Sequence, residues 1–389
     1  MDLQKISSAM LILTHSCNLS CKYCFVMQEP CHMTLETAMD AAKFLIKNAE
    51  ESGTTPSINF FGGEPMLMWD SIIVPLTEWI RNEYKKPFKL GMTTNGTLLN
   101  EERIAYMKKN NFGLLFSIDG AKETQDYNRP FHDGTGSFDT LEPLIPIILK
   151  NWPSMTFRMT AIPKTCENVF NNISFAIDKG YKNFFVVPNI FEEWGDDDKE
   201  VLKNEMRKYS NYYIESYRNG KTPIIFSTFE KSFKDIVDIN KAITDKTFRA
   251  SNKCKACGKC GLGASRFASI HPNGNIYGCQ EMTSNEGEKS IFYIGNIYTG
   301  VEEDRRLALM NAFDSEVVKG ANCETCKLNR ICTGGCVANN YLATGSLTTM
   351  NDMICWWNQL ILDETIYVMQ TLGNEENEMF KEKWSKLIK

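Results

Sequence analysis

The chain of 389 residues is 43% hydrophobic, 23% charged and 11% aromatic, the composition of a globular protein with one large domain or two rather than of a disordered chain. Lys plus Arg number 43 against 48 Asp plus Glu, a formal charge of −5 without any basic block, which argues against nucleic acid as a partner. The apolar runs fall well short of the roughly 20 residues of a membrane span, and the start lacks a cationic leader or small-residue cleavage site, so no membrane location is expected and the expected compartment is the reducing cytoplasm.

In chain order, Met10 opens a short apolar run that ends at the first cysteines. Thr34 can cap a helix whose apolar residues Leu35, Met39, Ala42, Ile46 and Ala49 keep helical spacing, with Gly53 as its stop. Residues 57–61 read as a second strand. The pattern repeats with a helix from Asp70, a strand at 89–93, a helix from Asn100, a strand at 114–118 and a helix from about Phe138. A strand at 155–162, a helix from about Glu167 and a strand at 184–187 complete six strands alternating with helices. Such alternation favours a parallel sheet with helices outside, because each crossover returns the chain in the same sense. The expected fold class is α/β, a partial (β/α)6 TIM-type barrel. In barrels of this kind reactive groups sit in the loops after the strands, where residues 17–24, 62–65, 94–96 and 119–120 fall here.

From about Asn219 the pattern weakens into short segments with Gly, Lys and Cys, then a helical stretch at 356–372 and a charged tail. The expected organisation is a barrel over 1–220, a small irregular cysteine-rich domain over 221–375 and a tail over 376–389. The acidic stretch at 192–200 reads as a solvated face, and no repeat of fixed period is present.

Fourteen cysteines are the unusual feature, and in a reducing compartment clustered cysteines point to metal before disulfides. Cys17-x3-Cys21-x2-Cys24 puts three thiolates on one short loop. On a four-iron cluster, three ligands leave one iron free to bind something else. A closed zinc site would need His15 or Cys31 as a fourth ligand.

The run Cys17-Asn18-Leu19-Ser20-Cys21-Lys22-Tyr23-Cys24 resembles the cluster loop of radical S-adenosylmethionine (SAM) enzymes. The resemblance continues through Gly62-Gly63-Glu64-Pro65, Thr94-Asn95-Gly96 and Ser117-Ile118-Asp119-Gly120, four matches in order after successive strands. It implies an open iron that chelates the SAM methionine and an electron transfer that yields a 5′-deoxyadenosyl radical, the cofactor supplying the bond chemistry and the protein positioning it. By the same resemblance Gly62, Gly63 and Glu64 should meet the methionine end, Asn95 and Ser117 the ribose region and Tyr23 the adenine side, with Arg158 a candidate for the carboxylate; an ordinary polar strand end or surface charge is the alternative for Ser117 and Arg158. Asp126 and Arg129 also match the family pattern, with pinning of a loop as the alternative.

Cys323-x2-Cys326-x5-Cys332-x3-Cys336, followed by Cys355 and preceded by Cys260 and Cys279, gives seven cysteines, too many for one metal. The arrangement resembles the SPASM extension of radical SAM peptide-modifying enzymes, siblings of the anaerobic sulfatase-maturating enzymes, which carries two auxiliary 4Fe-4S clusters. It implies three clusters in all. Carried over by position, one auxiliary cluster takes Cys323, Cys326, Cys332 and Cys355, and the other takes Cys260, Cys279 and Cys336 with Cys257, Cys254 or neither as its fourth ligand. A zinc-binding or electron-relay module is the non-catalytic alternative. Cys31 and Cys166 match no ligand position and read as inert thiols.

In sulfatase-maturating members an Asp after the cysteine corresponding to Cys279 acts as base. Here the residue is Gln280, whose amide takes no proton at ordinary pH, and formylglycine formation is disfavoured. The expected activity is maturation of a ribosomally made precursor peptide by a thioether crosslink, with epimerisation or a carbon–carbon crosslink sharing the same first step. The expected electron donor is a flavodoxin or ferredoxin.

Overall fold

The structure, a computed structural model, describes residues 3–26, 30–244, 266–281, 287–312, 320, 322–329, 331–332 and 334–388. In chain order its elements are β1 (Ser8–Thr14), α1 (Leu35–Glu51), β2 (Ser57–Gly62), α2 (Val74–Glu83), β3 (Lys89–Thr94), α3 (Glu101–Lys109), β4 (Phe112–Phe116) and α4 (Lys122–Asn128). There follow α5 (Phe138–Leu141), α6 (Ile145–Asn151), β5 (Thr156–Ala161), α7 (Val169–Lys179), β6 (Asn183–Pro188), α8 (Asp196–Arg218), β7 (Ile225–Phe226) and α9 (Ser227–Thr244). The last are β8 (Phe267–Ile270), β9 (Asn275–Tyr277), β10 (Tyr293–Asn296), β11 (Gly300–Val301), α10 (Glu303–Ala312), α11 (Val337–Thr344), α12 (Asp352–Asn374) and α13 (Glu378–Ile388).

Thr34 caps α1 as its sequence position suggests, its side chain accepting from the Thr37 N–H. Other elements shift for local reasons. The helix expected from Asp70 is entered earlier, through a 3-10 turn at Pro65–Met68 and a π turn at Trp69–Ile73, because Pro65 needs no partner for a missing N–H and Glu64 caps the turn. The fourth strand lies two residues earlier than expected, starting after the left-handed Asn111 (φ 55°). The helix from Phe138 is broken into α5, a 3-10 turn and α6 at Pro143 and Pro146, which withdraw backbone donors. The short segments expected after Asn219 instead include the 18-residue helix α9. The expected tail contains α13, with Phe380 and Trp384 buried.

The chain divides into two compact units. The first comprises 1–117, 129–152 and 254–315 and holds a sheet of order β11-β10-β9-β8-β1-β2-β3-β4. Strands β8, β1, β2, β3 and β4 are parallel, while β9, β10 and β11 continue antiparallel. β1 lies between β2 and β8, so Leu11, Ile12 and Leu13 have no exposure, as a central parallel strand requires. Phe267–Ile270, within the stretch expected to form the smaller domain, thus pairs directly with the first strand of the chain.

The second unit comprises 118–128, 153–253 and 316–389, with the parallel sheet β5-β6-β7. Its core is aromatic: Phe184 lies 4.9 Å from Tyr209 and 4.7 Å from Phe226 between ring centroids, and Trp384 of α13 lies 3.9 Å from Phe233 of α9. Helix α12 is tied to α8 by the buried Glu364, which accepts from Arg207 Nε (2.8 Å) and Ser210 Oγ (2.8 Å). Glu364→Ala removes both bonds but leaves Arg207 a route to water, so the expected loss is about 1–3 kcal/mol in urea unfolding; an unchanged midpoint refutes the role given to this carboxylate.

Candidate active site

The loop after β1 carries Cys17, Cys21 and Cys24, of which Cys24 is exposed and the other two partly so. Local hydrogen bonds shape it: the Cys17 sulfur accepts from the Leu19 N–H at 3.4 Å, and the Cys24 N–H donates to the Cys21 carbonyl at 3.2 Å. Protein packed around the sulfurs pushes the Cys17 and Cys24 thiols above the ordinary thiol range, although Cys24 as a residue is exposed, and at Cys24 the Val26 carbonyl and then the Arg129 charge oppose the shift. Metal binding therefore has protons to displace here. Of the two candidates for a fourth zinc ligand, His15 is fully buried with its ring edge-on to His271, and the Cys31 carbonyl accepts from the His15 N–H.

The loop after β2 lies against the start of the cluster loop. The Gly63 N–H donates to Thr14 O (2.8 Å) and the Glu64 N–H to Ser16 O (2.9 Å). A Cβ on Gly62 would collide with the Thr14 carbonyl oxygen, and one on Gly63 with that of Ser16; Gly62 moreover has φ 138°. Both positions need glycine because two backbones meet there. Glu64 then turns inward with no exposure. Its carboxylate accepts from Thr94 Oγ1 (2.7 Å), the Asn95 N–H (2.8 Å) and the Met66 N–H (2.9 Å). Burial raises its pKa to about 7 against those three bonds, which lower it.

Asn95 continues the network. Its Nδ2 donates to Asn18 Oδ1 (2.9 Å) and toward the Cys17 sulfur (3.7 Å), and its Oδ1 accepts from the Thr97 N–H (3.0 Å). Loops after β1, β2 and β3 are thus joined, as their common place at the strand ends suggested. Ser117 is held by its N–H to Thr94 O (3.0 Å). Tyr23 lies under the Arg129 guanidinium, 5.2 Å from the ring centroid. Arg158 stands exposed on β5 in the second unit, its guanidinium 5.2 Å from the Phe185 ring centroid. Asp119 is buried in that unit and accepts from the Thr160 N–H and Asn128 Nδ2 at 3.1 Å each.

The sequence leaves the role of Arg129 open and gives no sign of His132. The segment 129–132 lies along the cluster loop: the Ser20 N–H donates to Pro130 O (2.8 Å), Leu19 pairs with Phe131, and Arg129 Nη1 points to the Cys21 sulfur at 3.9 Å. No motif marks His132, and only the fold brings it to the Cys17 carbonyl.

In the second unit Cys323, Cys326, Cys332 and Cys355 converge. The Cys355 thiol is pushed up to about 12, first by burial and then by the neighbouring Cys332, Cys323, Asp352 and Cys326. The Met350 sulfur lies 3.9 Å from that of Cys332 and 4.0 Å from that of Cys355. The Gly320 N–H donates to the Cys323 sulfur (3.0 Å), and a Cβ on Gly320 would stand 2.6 Å from the Cys355 sulfur. Cys336 stands at the N-terminal boundary of α11 in this unit, and Cys279 is buried in the first, its sulfur accepting from the Glu281 N–H at 3.4 Å. Cys254, Cys257 and Cys260 lie outside the described residues. Cys166 is buried, its pKa raised to about 11 chiefly by that burial, as suits an inert thiol.

Among the described residues no three His, Cys, Asp or Glu side chains lie close enough to share one metal ion. An iron–sulfur cluster asks instead that each thiolate reach a different iron. The N-terminal residues fit such a group by their chemistry: three soft thiol donors, an adjoining side-chain amide donor and a glycine edge that keeps backbone close to them.

Residues 11–203 match the Radical SAM superfamily. The chain is 22% identical over 387 residues to the radical SAM cyclopropyl synthase TigE of Paramaledivibacter caminithermalis, covering 93% of this chain and 74% of that one. It is 23% identical over 342 residues to a cysteine-type anaerobic sulfatase-maturating enzyme of Clostridium perfringens, covering 82% of this chain and 85% of the other. The structure of Streptococcus suis SuiB bound to precursor peptide SuiA shares the fold, with a TM-score of 0.61 at 16% identity over 90% of this chain and 76% of that one. The chain therefore carries a radical SAM domain, on the partial-barrel α/β fold of such enzymes and followed by a C-terminal domain. It is an enzyme, its radical SAM domain implies a 4Fe-4S cluster and SAM, and it is related to sulfatase-maturating enzymes and to a radical SAM cyclopropyl synthase. No helix among the described residues is long and apolar enough to cross a membrane.

Two outcomes test this geometry. Gly63→Ala forces a collision between backbones and is expected to cost about 1–3 kcal/mol, with iron lost from the N-terminal site; wild-type stability and iron content contradict the cradle. For Glu64, the folded pKa of about 7 lies above the ordinary 4.5. The folded chain therefore keeps a proton that the unfolded chain has lost within that window. Its stabilising contribution is complete below pH 4.5 and is lost as pH rises through about 7. Unfolding midpoints measured anaerobically should fall across the window, and less steeply in Glu64→Gln; parallel slopes refute the assignment.

Proposed function

We propose that the protein is a maturase of a ribosomally made precursor peptide and closes a thioether between a cysteine and a carbon of that peptide. Reductive cleavage of SAM at the N-terminal cluster supplies the 5′-deoxyadenosyl radical. On this reading Cys17, Cys21 and Cys24 hold the cluster, Gly62, Gly63 and Glu64 shape the methionine end, and Asn95, Ser117, Tyr23 and Arg158 serve the rest of SAM. The hydrogen taken from carbon leaves as 5′-deoxyadenosine, the thiol proton goes to solvent, and one electron returns to the carrier that supplied the first, a flavodoxin or ferredoxin. The peptide product is lighter by two hydrogens.

The observation that carries this reading is Gln280. It follows the buried Cys279, its Oε1 lies 4.0 Å from that sulfur, and its Nε2 lies 3.5 Å from Glu281 Oε1. A side-chain amide is no base, so the position offers no proton acceptor for aldehyde formation. The second reading, oxidation of a sulfatase Cys or Ser to formylglycine, is favoured by the likeness to the Clostridium perfringens enzyme, with Glu281 as the carboxylate available to it.

We further propose two auxiliary 4Fe-4S clusters. The convergence of Cys323, Cys326, Cys332 and Cys355 supports the first. Cys279, Cys336, Cys260 and Cys257 are proposed for the second. Clustered thiols of this kind suit the reducing cytoplasm.

Incubation with a cysteine-bearing precursor peptide and with a sulfatase-derived peptide separates the readings by mass. A loss of two hydrogens with a new bond in the precursor peptide, and an untouched sulfatase peptide, are expected; formylglycine in the latter overturns the proposal. Cys17→Ala, Cys21→Ala and Cys24→Ala should each abolish 5′-deoxyadenosine production. Cys355→Ala should lose one cluster's worth of iron while keeping SAM binding, and full iron retention contradicts the auxiliary site.

A further inference from the structure

We propose that His132 is a positioning residue for the SAM-cluster loop, acting through a hydrogen bond from its imidazole to the backbone carbonyl of Cys17. The inference rests on Cys17 being an iron ligand. His132 Nε2 lies 2.9 Å from Cys17 O. A carbonyl only accepts, so Nε2 carries the hydrogen and donates.

The bond belongs to a short strap. Residues 129–137 are closed on themselves by the Phe131 N–H to Thr135 O (2.8 Å), the Gly134 N–H to Phe131 O (3.0 Å) and Ser137 Oγ to Arg129 O (2.7 Å). Asp133 Oδ1 braces the tip by accepting from the Thr135 N–H (2.9 Å) and hydroxyl (2.6 Å). Gly134 supplies the left-handed turn at φ 85°. One edge of this hydrogen-bonded strap binds the cluster loop through Pro130 and Phe131, which leaves His132 aimed at Cys17 while Arg129 meets Cys21.

The Cys17 carbonyl is a point of leverage. It belongs to the peptide plane joining Cys17 to Asn18, so fixing it restricts the rotation that sets both side chains. Asn18 is bonded to Asn95 and Thr97, and the Leu19 N–H reaches back to the Cys17 sulfur. Hydrogen bonds to cluster sulfurs tune iron–sulfur sites. Orientation of the Cys17–Asn18 peptide thus bears on the pose of the ligand and on the donor that its sulfur receives. The side chain of His132 is exposed, so its removal leaves no cavity in a core.

The test compares His132→Ala and His132→Gln with wild type as iron-loaded, anaerobic protein. Glutamine keeps an N–H donor at comparable reach, and alanine does not. Expected in His132→Ala are faster amide hydrogen exchange over residues 17–24, an altered electron paramagnetic resonance spectrum of the reduced SAM-bound cluster, and SAM affinity weakened about two- to tenfold, the worth of one hydrogen bond. His132→Gln should return all three toward wild type. The proposal is overturned if His132→Ala keeps wild-type exchange, if its exchange rises while SAM affinity and spectrum stay unchanged, or if glutamine does no better than alanine. Iron content of Cys17→Ala separates the two levels: a full complement there removes Cys17 as a ligand, whatever His132 does.

Discussion

The buried carboxylate of Glu64 is the interaction on which the N-terminal site depends. Taking a carboxylate out of water costs several kcal/mol unless its oxygens find donors, and here the donors are Thr94, Asn95 and Met66. Thr94 ends β3 and Asn95 opens the loop after it, whereas Glu64 lies on the loop after β2. Loops at the end of a parallel sheet have no ladder to hold them in register with one another. The Glu64 bonds supply that register from within, and the raised pKa is the electrostatic mark of the same burial.

The glycines before Glu64 carry the constraint one loop further. With no Cβ at Gly62 and Gly63, the second loop reaches the backbone of Thr14 and Ser16, immediately ahead of Cys17. Asn95 closes the circuit from the third loop by donating toward Asn18 and the Cys17 sulfur. Cys17, on the loop after β1, is thereby referred to three strands of the sheet. This is what an enzyme that directs a reactive radical requires: geometry fixed by the scaffold before the cofactor arrives.

The two cysteine groups are assembled differently. In the N-terminal group the three cysteines share one loop of eight residues, 17–24, which neighbouring segments hold in place. In the second unit Cys355 belongs to the first turn of α12, whereas Cys323, Cys326 and Cys332 come from an irregular stretch before α11. Helix α12 is in turn fixed to α8 through Glu364, so the placement of Cys355 depends on packing far along the chain. Close approach is again secured by a missing side chain, at Gly320.

The alternation of strands and helices, the parallel sheet and the position of reactive residues after the strands were legible in the sequence because apolar periodicity and crossover geometry are local or nearly so. The cysteine spacings were legible for the same reason, since a loop of fixed length limits which thiols can meet. Helices α9 and α13 were hidden, because charged residues interleave with Phe229, Phe233, Phe380 and Trp384, and their apolar faces make sense only against one another. The pairing of β8 with β1, in which Phe267 meets Ser8, has no sequence signature at all. Nor has the hydrogen bond from His132 to Cys17, made between segments 115 positions apart. Sequence alone settled which chemistry these residues can support; the tertiary fold decided which groups face one another, because contact across such separations is set by packing rather than by spacing along the chain.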